Sequence, residues 1–192
     1  MTLPTTVTLL RMAMTVVVMV MLFSPGWIAK ALALGSFLVA GLTDWLDGYL
    51  ARRWRQVTPL GALLDPIADK VLVLGTFLAF VQLGLVPAWM VLVIALREFF
   101  ITGVRLFAAS RGITLAAARE GKHKTVSQMV TIVVVLLAMI VQEAWGARAL
   151  GVTAVFRWVV PWCLWVTVVL TVVSGTSFFW RHRTVLRDAV TR

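Results

Sequence analysis

Long apolar runs, each close to the length of a membrane-spanning helix, follow one another along the chain. A helix needs about 20 mostly apolar residues to cross a bilayer. Six such runs, separated by short polar or Gly/Pro-containing segments, cover approximately residues 9–23, 27–49, 63–83, 88–109, 125–141 and 158–180. The pattern predicts an all-α fold, an integral membrane bundle of six transmembrane helices. Residues 1–192 are expected to form a single membrane domain.

Basic residues cluster after alternate runs, which predicts an orientation. The clusters follow the second, fourth and sixth runs and comprise Arg52, Arg53, Arg55, Arg111, Arg119, Lys122, Lys124, Arg181, Arg183, Arg187 and Arg192. The intervening segments carry only Arg148 and Arg157. Because cytoplasmic loops are enriched in Lys and Arg, both termini are expected in the cytoplasm, with a multi-pass location in a bacterial cytoplasmic (inner) membrane.

Composition excludes most other classes. Of 192 residues, 61% are apolar and 14% are charged, whereas a soluble domain has about 25% charged residues. The single cysteine, Cys163, excludes a disulfide framework. The net charge of +10 is largely accounted for by the orientation signal. We therefore expect membrane lipids and phosphate groups, and no nucleic acid, as partners of the basic residues.

Four aspartates lie within 26 residues, near the ends of the second and third runs that face one short connection: Asp44, Asp47, Asp65 and Asp69. Residues three or four apart share a helical face, so two antiparallel helices would present these four carboxylates to one another. Close carboxylates repel unless a cation neutralises them, and oxygen ligands select hard ions such as Mg²⁺, Mn²⁺ or Ca²⁺. The spacing predicts a paired-metal site.

An alternative is that the aspartates pair with nearby basic side chains at the level of the lipid headgroups. This alternative explains a single aspartate more readily than a cluster of four. Pro66 follows Asp65 directly, which predicts that a helix begins or kinks there.

This region also resembles a known family. Asp44-Trp-Leu-Asp47-Gly48-Tyr-Leu-Ala51-Arg52, then eight residues, then Gly61-Ala-Leu-Leu-Asp65-Pro-Ile-Ala-Asp69 is similar at every fixed position to the signature of the CDP-alcohol phosphatidyltransferases. The resemblance implies six transmembrane helices and a homodimer. It also implies that an acceptor hydroxyl attacks the β-phosphorus of a CDP-linked lipid and that CMP leaves.

The resemblance further assigns roles to single residues. Two Mg²⁺ or Mn²⁺ ions would be bound by Asp44, Asp47, Asp65 and Asp69, with Asp69 also the catalytic general base. Residues implied to bind the CDP-lipid, CDP-diacylglycerol, are Gly48, Ala51, Arg52, Thr58 and Gly61. Alternatively, the small residues serve close helix packing and Arg52 is one more orientation signal.

Two basic segments point to the acceptor. Arg97-Glu98-Phe-Phe-Ile-Thr-Gly-Val-Arg105 and Gly121-Lys122-x-Lys124-Thr125-x-x-Gln128 resemble segments of the phosphatidylglycerophosphate synthase branch of the family. Arg grips phosphate oxygens in a fork and Lys acts as a point charge. The implied acceptor is sn-glycerol 3-phosphate, and the residues implied to bind its phosphate are Arg97, Arg105, Lys122 and Lys124.

Several alternatives stay open at this point. Inositol phosphate or phosphatidylglycerol could be the acceptor, and Arg97 and Glu98 could be a neutralised pair that only aids packing. A divalent-cation transporter could use the aspartates as its filter, although a basic lining would oppose its cargo. The N-terminal segment resembles that of the family but carries Thr5 where relatives often have Asn, so no nucleotide contact is assigned to Thr8 or Arg11.

Overall fold

The predicted apolar runs fold as six long helices in the computed structural model of the chain. The structure describes residues 3–54, 59–111, 120–145, 151 and 154–191, with side chains for residues 9–43, 67, 68, 70–111, 123–145, 151 and 154–183. The helices are α1 (Leu3–Phe23), α2 (Trp27–Trp54), α3 (Pro59–Gln82), α4 (Ala88–Ser110), α5 (Glu120–Trp145) and α6 (Val160–Thr191). These ranges contain no strand, and the predicted all-α class is confirmed.

Two short turns have glycines in the left-handed region of backbone space. Gly26, between α1 and α2, has φ 94°, and Gly84, between α3 and α4, has φ 71°. Glycine adopts this conformation without the steric cost that a β-carbon brings. The Gly- and Pro-containing breaks in the hydrophobic pattern therefore mark these helix boundaries correctly.

Helix α3 corrects one expectation about Pro66. The helix begins at Pro59 and continues through residue 66, so the suggestion that a helix begins at Pro66 is wrong. Pro59 is suited to the first helical position, because its missing N–H would have no partner there and its φ is already helical. The earlier start brings Gly61 and Asp65 into the same helix as Asp69.

A single π-helical turn, Val155–Val159, precedes α6. In it, the Val160 N–H donates to the Val155 carbonyl, five residues earlier. Pro161 follows at once, and a proline has no N–H to donate and crowds the carbonyl four residues before it. The wide turn is the local response to this proline, since π turns accommodate such interruptions.

The helices form a closed ring in the order α1, α3, α4, α6, α5, α2, with α2 returning to α1. Helices α4 and α6 run parallel, because Trp89 contacts Trp165 at 5.6 Å and Phe100 contacts Phe179 at 5.2 Å between ring centroids. Short links at 24–26, 55–58 and 83–87 are too short to retrace a helix, so α1 to α4 alternate in direction. As a result, α3 is parallel to α1 and antiparallel to α2.

The outside of the bundle is apolar as well as its core. Phe37, Phe77 and Leu136 are fully buried, while many large apolar side chains are exposed. By length and composition, two described segments, His123–Trp145 and Val155–Arg183, are long and apolar enough to cross a membrane. Within the described side chains, the apolar stretches of α1 to α3 are shorter. These features fit a membrane protein.

Lys30 is buried and closes the C-terminus of α1. Its Nζ donates to the carbonyl oxygens of Leu22 at 2.6 Å and Ser24 at 2.7 Å. The last turn of a helix leaves carbonyls without intrahelical partners, and a cation there also interacts favourably with the helix dipole.

We expect Lys30→Met to lower the free energy of unfolding by about 1–3 kcal/mol, because the buried Leu22 carbonyl and the part-buried Ser24 carbonyl lose their donor. Thermal unfolding in detergent measures this as a lower Tm. Arg183→Met, which removes an exposed cation from α6, is the control and should change Tm little. Equal Tm values for the two variants would contradict a capping role for Lys30.

Candidate functional site

The four motif aspartates occupy matching levels on α2 and α3. Asp44 lies ten residues before the end of α2 and Asp69 ten residues after the start of α3, about 15 Å along each helix. Asp47 and Asp65 lie seven and six residues from the same ends. Because the two helices are antiparallel, the backbone brings these positions to the same end of the bundle, in two layers.

Only the backbone of these aspartates is described. Their side chains lie outside the described residues, and the described side chains contain no group of three or more His, Cys, Asp or Glu able to hold a metal. The donor set of the motif consists of carboxylates alone, on adjacent turns of two helices. Such a set fits Mg²⁺ or Mn²⁺ and is a poor match for softer metals.

The residues expected to bind the CDP-lipid surround the same positions. Gly48, Ala51 and Arg52 follow the aspartates on α2, and Gly61 lies one turn before Asp65 on α3. The side chains of these residues, and the whole of Thr58, lie outside the described residues. Their role as CDP-lipid ligands stays a prediction.

A cluster of buried charges joins α4, α5 and α6. The Arg97 guanidinium donates through Nη1 to Glu98 Oε1 at 3.2 Å and through Nη2 to Ser174 Oγ at 3.0 Å. Lys124 Nζ, from the first turns of α5, forms an ion pair with the same Glu98 oxygen. The three charged side chains are only 14%, 11% and 9% exposed for Arg97, Glu98 and Lys124. We call these three residues the charged cluster.

Close helix packing fixes the position of Arg97. A β-carbon built on Gly175 of α6 would lie 3.3 Å from Arg97 Cγ, so the arginine stem lies directly against the glycine backbone. Glycine at 175 leaves the room that the Arg97 side chain occupies. Neither Gly175 nor Ser174 is prominent in the sequence, because small residues are common in membrane helices.

The other two predicted acceptor residues do not belong to the charged cluster. Arg105 is two turns along α4 from Arg97, at an exposed position, with its guanidinium carbon 5.4 Å from the Phe178 ring centroid. Lys122 belongs to the first turn of α5, and its side chain lies outside the described residues. The structure thus brings Arg97 and Lys124 together through Glu98. It leaves Arg105 outside that buried contact.

The charged cluster lies at the depth of the aspartate motif. Met129 of α5 packs on Gly41 of α2, with Met129 Cε 3.5 Å from a β-carbon built on the glycine. Asp44 is three residues beyond Gly41, or about 5 Å along α2. Lys124 is five residues before Met129, or about 8 Å along α5, in the same direction because the two helices are antiparallel. The backbone of Lys124 therefore falls between the levels of Asp44 and Asp47.

Sequence reasoning missed Arg11, to which no role was assigned. Arg11 is only 3% exposed and lies one turn from Thr15, whose Cγ2 is 3.3 Å from a β-carbon built on Gly75 of α3. Because α1 and α3 are parallel, Arg11 is level with residue 71, close to Asp69. The signal was an arginine inside an otherwise apolar run, which usually marks a functional residue.

The chain matches known proteins over almost its whole length. The family model of the CDP-alcohol phosphatidyltransferases covers residues 1–173. The chain therefore belongs to the CDP-alcohol phosphatidyltransferase family, a family of enzymes, and the resemblance seen in the aspartate motif is confirmed.

Three of the similar proteins carry the same name. A Bacillus subtilis protein called CDP-diacylglycerol–glycerol-3-phosphate 3-phosphatidyltransferase is 37% identical, over 97% of this chain and 98% of its own length. Proteins of the same name from Cereibacter sphaeroides and Rickettsia typhi are 31% and 30% identical, over 96% and 92% of this chain and 97% and 94% of their own lengths.

We expect Glu98→Gln to lower the free energy of unfolding by about 3 kcal/mol, because it leaves two buried cations without a counter-charge. Thermal unfolding in detergent measures this loss. Glu143→Gln, at an exposed position near the end of α5, is the matched control. Adding Lys124→Gln to Glu98→Gln should restore part of the loss, and no difference between the two single variants would contradict a bridging role for Glu98.

Proposed function

We propose that this enzyme transfers the phosphatidyl group of CDP-diacylglycerol to sn-glycerol 3-phosphate and releases phosphatidylglycerol phosphate and CMP. The observation that carries the proposal is the charged cluster at the depth of the aspartate motif. The aspartate motif is suited to metal ions that bind the pyrophosphate of a nucleotide lipid. The charged cluster is suited to a second phosphate. The names of the relatives support the same pair of substrates.

The acceptor is proposed to carry a phosphate because of the charge balance. Arg97, Glu98 and Lys124 together have a net charge of +1, and Arg105 and Lys122 lie nearby along α4 and α5. An uncharged alcohol offers nothing to bind these cations. Inositol phosphate and phosphatidylglycerol satisfy the charge argument too, and the relatives favour glycerol 3-phosphate. A cation transporter is disfavoured because Arg97 and Lys124 would repel the cargo.

The proposed roles of the aspartates follow from their chemistry. Asp44, Asp47, Asp65 and Asp69 would hold two Mg²⁺ or Mn²⁺ ions, which would supply charge neutralisation for displacement at phosphorus. Asp69 would take the proton from the acceptor hydroxyl as it attacks the β-phosphorus. Gly48, Ala51, Gly61, Arg52 and Thr58 would hold the CDP moiety.

The proposed arrangement in the membrane is six spans with both termini in the cytoplasm and a cytoplasm-facing site in a bacterial inner membrane. The alternating helix directions support it, and so do the basic residues near the C-terminal ends of α2 and α6 and around the connection from α4 to α5. The chain would act as one domain and as a homodimer, as its family resemblance implies.

Purified protein with CDP-diacylglycerol, Mg²⁺ or Mn²⁺ and each acceptor in turn should release CMP with sn-glycerol 3-phosphate and not with glycerol or serine. We expect Asp69→Asn to reduce CMP release at least about 100-fold, because the base is lost, and to retain CDP-lipid binding. Asp188→Asn, near the C-terminal end of α6, is the control. Undiminished turnover in Asp69→Asn would remove Asp69 as the base, and absence of CMP release from the unaltered protein with every acceptor would overturn the proposed function.

Lys124→Gln and Arg105→Gln should raise the KM for glycerol 3-phosphate about tenfold while the KM for CDP-diacylglycerol changes little, because a charge-assisted hydrogen bond contributes about 1.5–3 kcal/mol. Steady-state kinetics with each substrate varied in turn measures both constants. Arg157→Gln removes an exposed cation from the opposite end of the bundle and should leave both constants unchanged. An equal rise of both constants would contradict an acceptor-phosphate site.

A further inference from the structure

Three buried polar atoms on α4, α5 and α6 have no hydrogen-bond partner in the described part of the chain. They are Arg97 Nε, Gln128 Nε2 and Thr171 Oγ1. Gln128 is 3% exposed and Thr171 is fully buried. Other threonines of the bundle, such as Thr15 and Thr76, donate to the carbonyl four residues earlier. The Thr171 hydroxyl makes no such bond.

The helix register brings these atoms to one region. Thr131 of α5 contacts the Thr167 hydroxyl of α6 at 3.0 Å, and the two helices are antiparallel. Gln128 precedes Thr131 by three residues and Thr171 follows Thr167 by four, so both are about one turn nearer the charged cluster. The next turn holds Lys124 on α5 and Ser174 on α6, where Ser174 binds Arg97.

Leaving these atoms without partners is costly. A buried donor that makes no hydrogen bond costs about 1–3 kcal/mol, and apolar side chains of the same size would fill the space without that cost. The three groups present N–H and O–H donors, so the missing partner is an oxygen atom. The Thr171 hydroxyl can also accept a hydrogen bond, so a hydroxyl partner could donate to it in return.

We infer that Gln128 and Thr171 form a subsite for the hydroxyl on the carbon next to the phosphorylated carbon of the acceptor. The inference rests on the proposed function, in which Arg97 and Lys124 hold the acceptor phosphate. Gln128 lies four residues from Lys124, about 6 Å along α5, and the hydroxyl-bearing carbon is adjacent to the phosphate-bearing one. Gln128 and Thr171 are then specificity residues, which select a phosphorylated polyol over a phosphorylated simple alcohol.

The test compares two acceptors, glycerol 3-phosphate and 3-hydroxypropyl phosphate, which lacks only that middle hydroxyl. The kcat/KM value for each acceptor is measured from the rate of CMP release, and the two values are compared as a ratio. The unaltered protein should prefer glycerol 3-phosphate, and Gln128→Met or Thr171→Val should reduce the preference about tenfold, mainly by slowing the reaction of glycerol 3-phosphate. Thr176→Val, an exposed position on the same helix, is the matched control and should keep the preference.

Thermal unfolding without substrate separates this role from a purely structural one. Thr171→Val removes a hydroxyl that makes no hydrogen bond in the structure, so its Tm should equal or exceed that of the unaltered protein, and glycerol 3-phosphate should raise its Tm less. An unchanged ratio of kcat/KM values in both variants, as expected if the groups bind only a water molecule, would overturn the subsite. CMP release from the unaltered protein in the same experiment tests the proposed function independently.

Discussion

The burial of two cations inside an apolar helix bundle is the constraint on which the rest of the structure depends. A charge removed from water needs a counter-charge, hydrogen bonds or both to offset the lost hydration. Glu98 supplies that counter-charge to both Arg97 and Lys124, and Ser174 takes a further Arg97 donor. Because these residues come from α4, α5 and α6, one set of contacts ties three helices together and keeps a net positive charge of +1 at the proposed acceptor site.

The acidic and the basic groups come from different helices of the ring. Helices α2 and α3 carry the aspartates near the ends that one short link joins, whereas α4 and α5 carry Arg97, Glu98 and Lys124. The acidic and basic helices come into contact where α5 packs on α2 at Gly41. Acidic and basic groups thus reach a common depth from different helices, as two anionic substrates and their metals require.

Much of this arrangement was predictable from the sequence. Period and composition predicted the helices, and the aspartate motif predicted the family, since the fixed positions of its signature depend only on the order of residues between 44 and 69. Contacts between distant helices were not predictable: Ser174, Gly175 and Thr171 are ordinary small residues until α6 is packed against α4 and α5. Pro66 misled because helix α3 starts at Pro59, about two turns before Pro66. The position of Arg11 within an apolar run could be seen in the sequence, but the packing of α1 against α3 could not.

The central claim is that acceptor phosphate and catalytic metal lie side by side. The most direct measurement is the ³¹P relaxation of glycerol 3-phosphate caused by Mn²⁺ bound to the protein. We predict strong, protein-dependent relaxation that Mg²⁺ competes away and that Asp44→Asn with Asp47→Asn abolishes. Glycerol 3-phosphate that binds the Mn²⁺-loaded protein but relaxes no faster than with that double variant would contradict the claim.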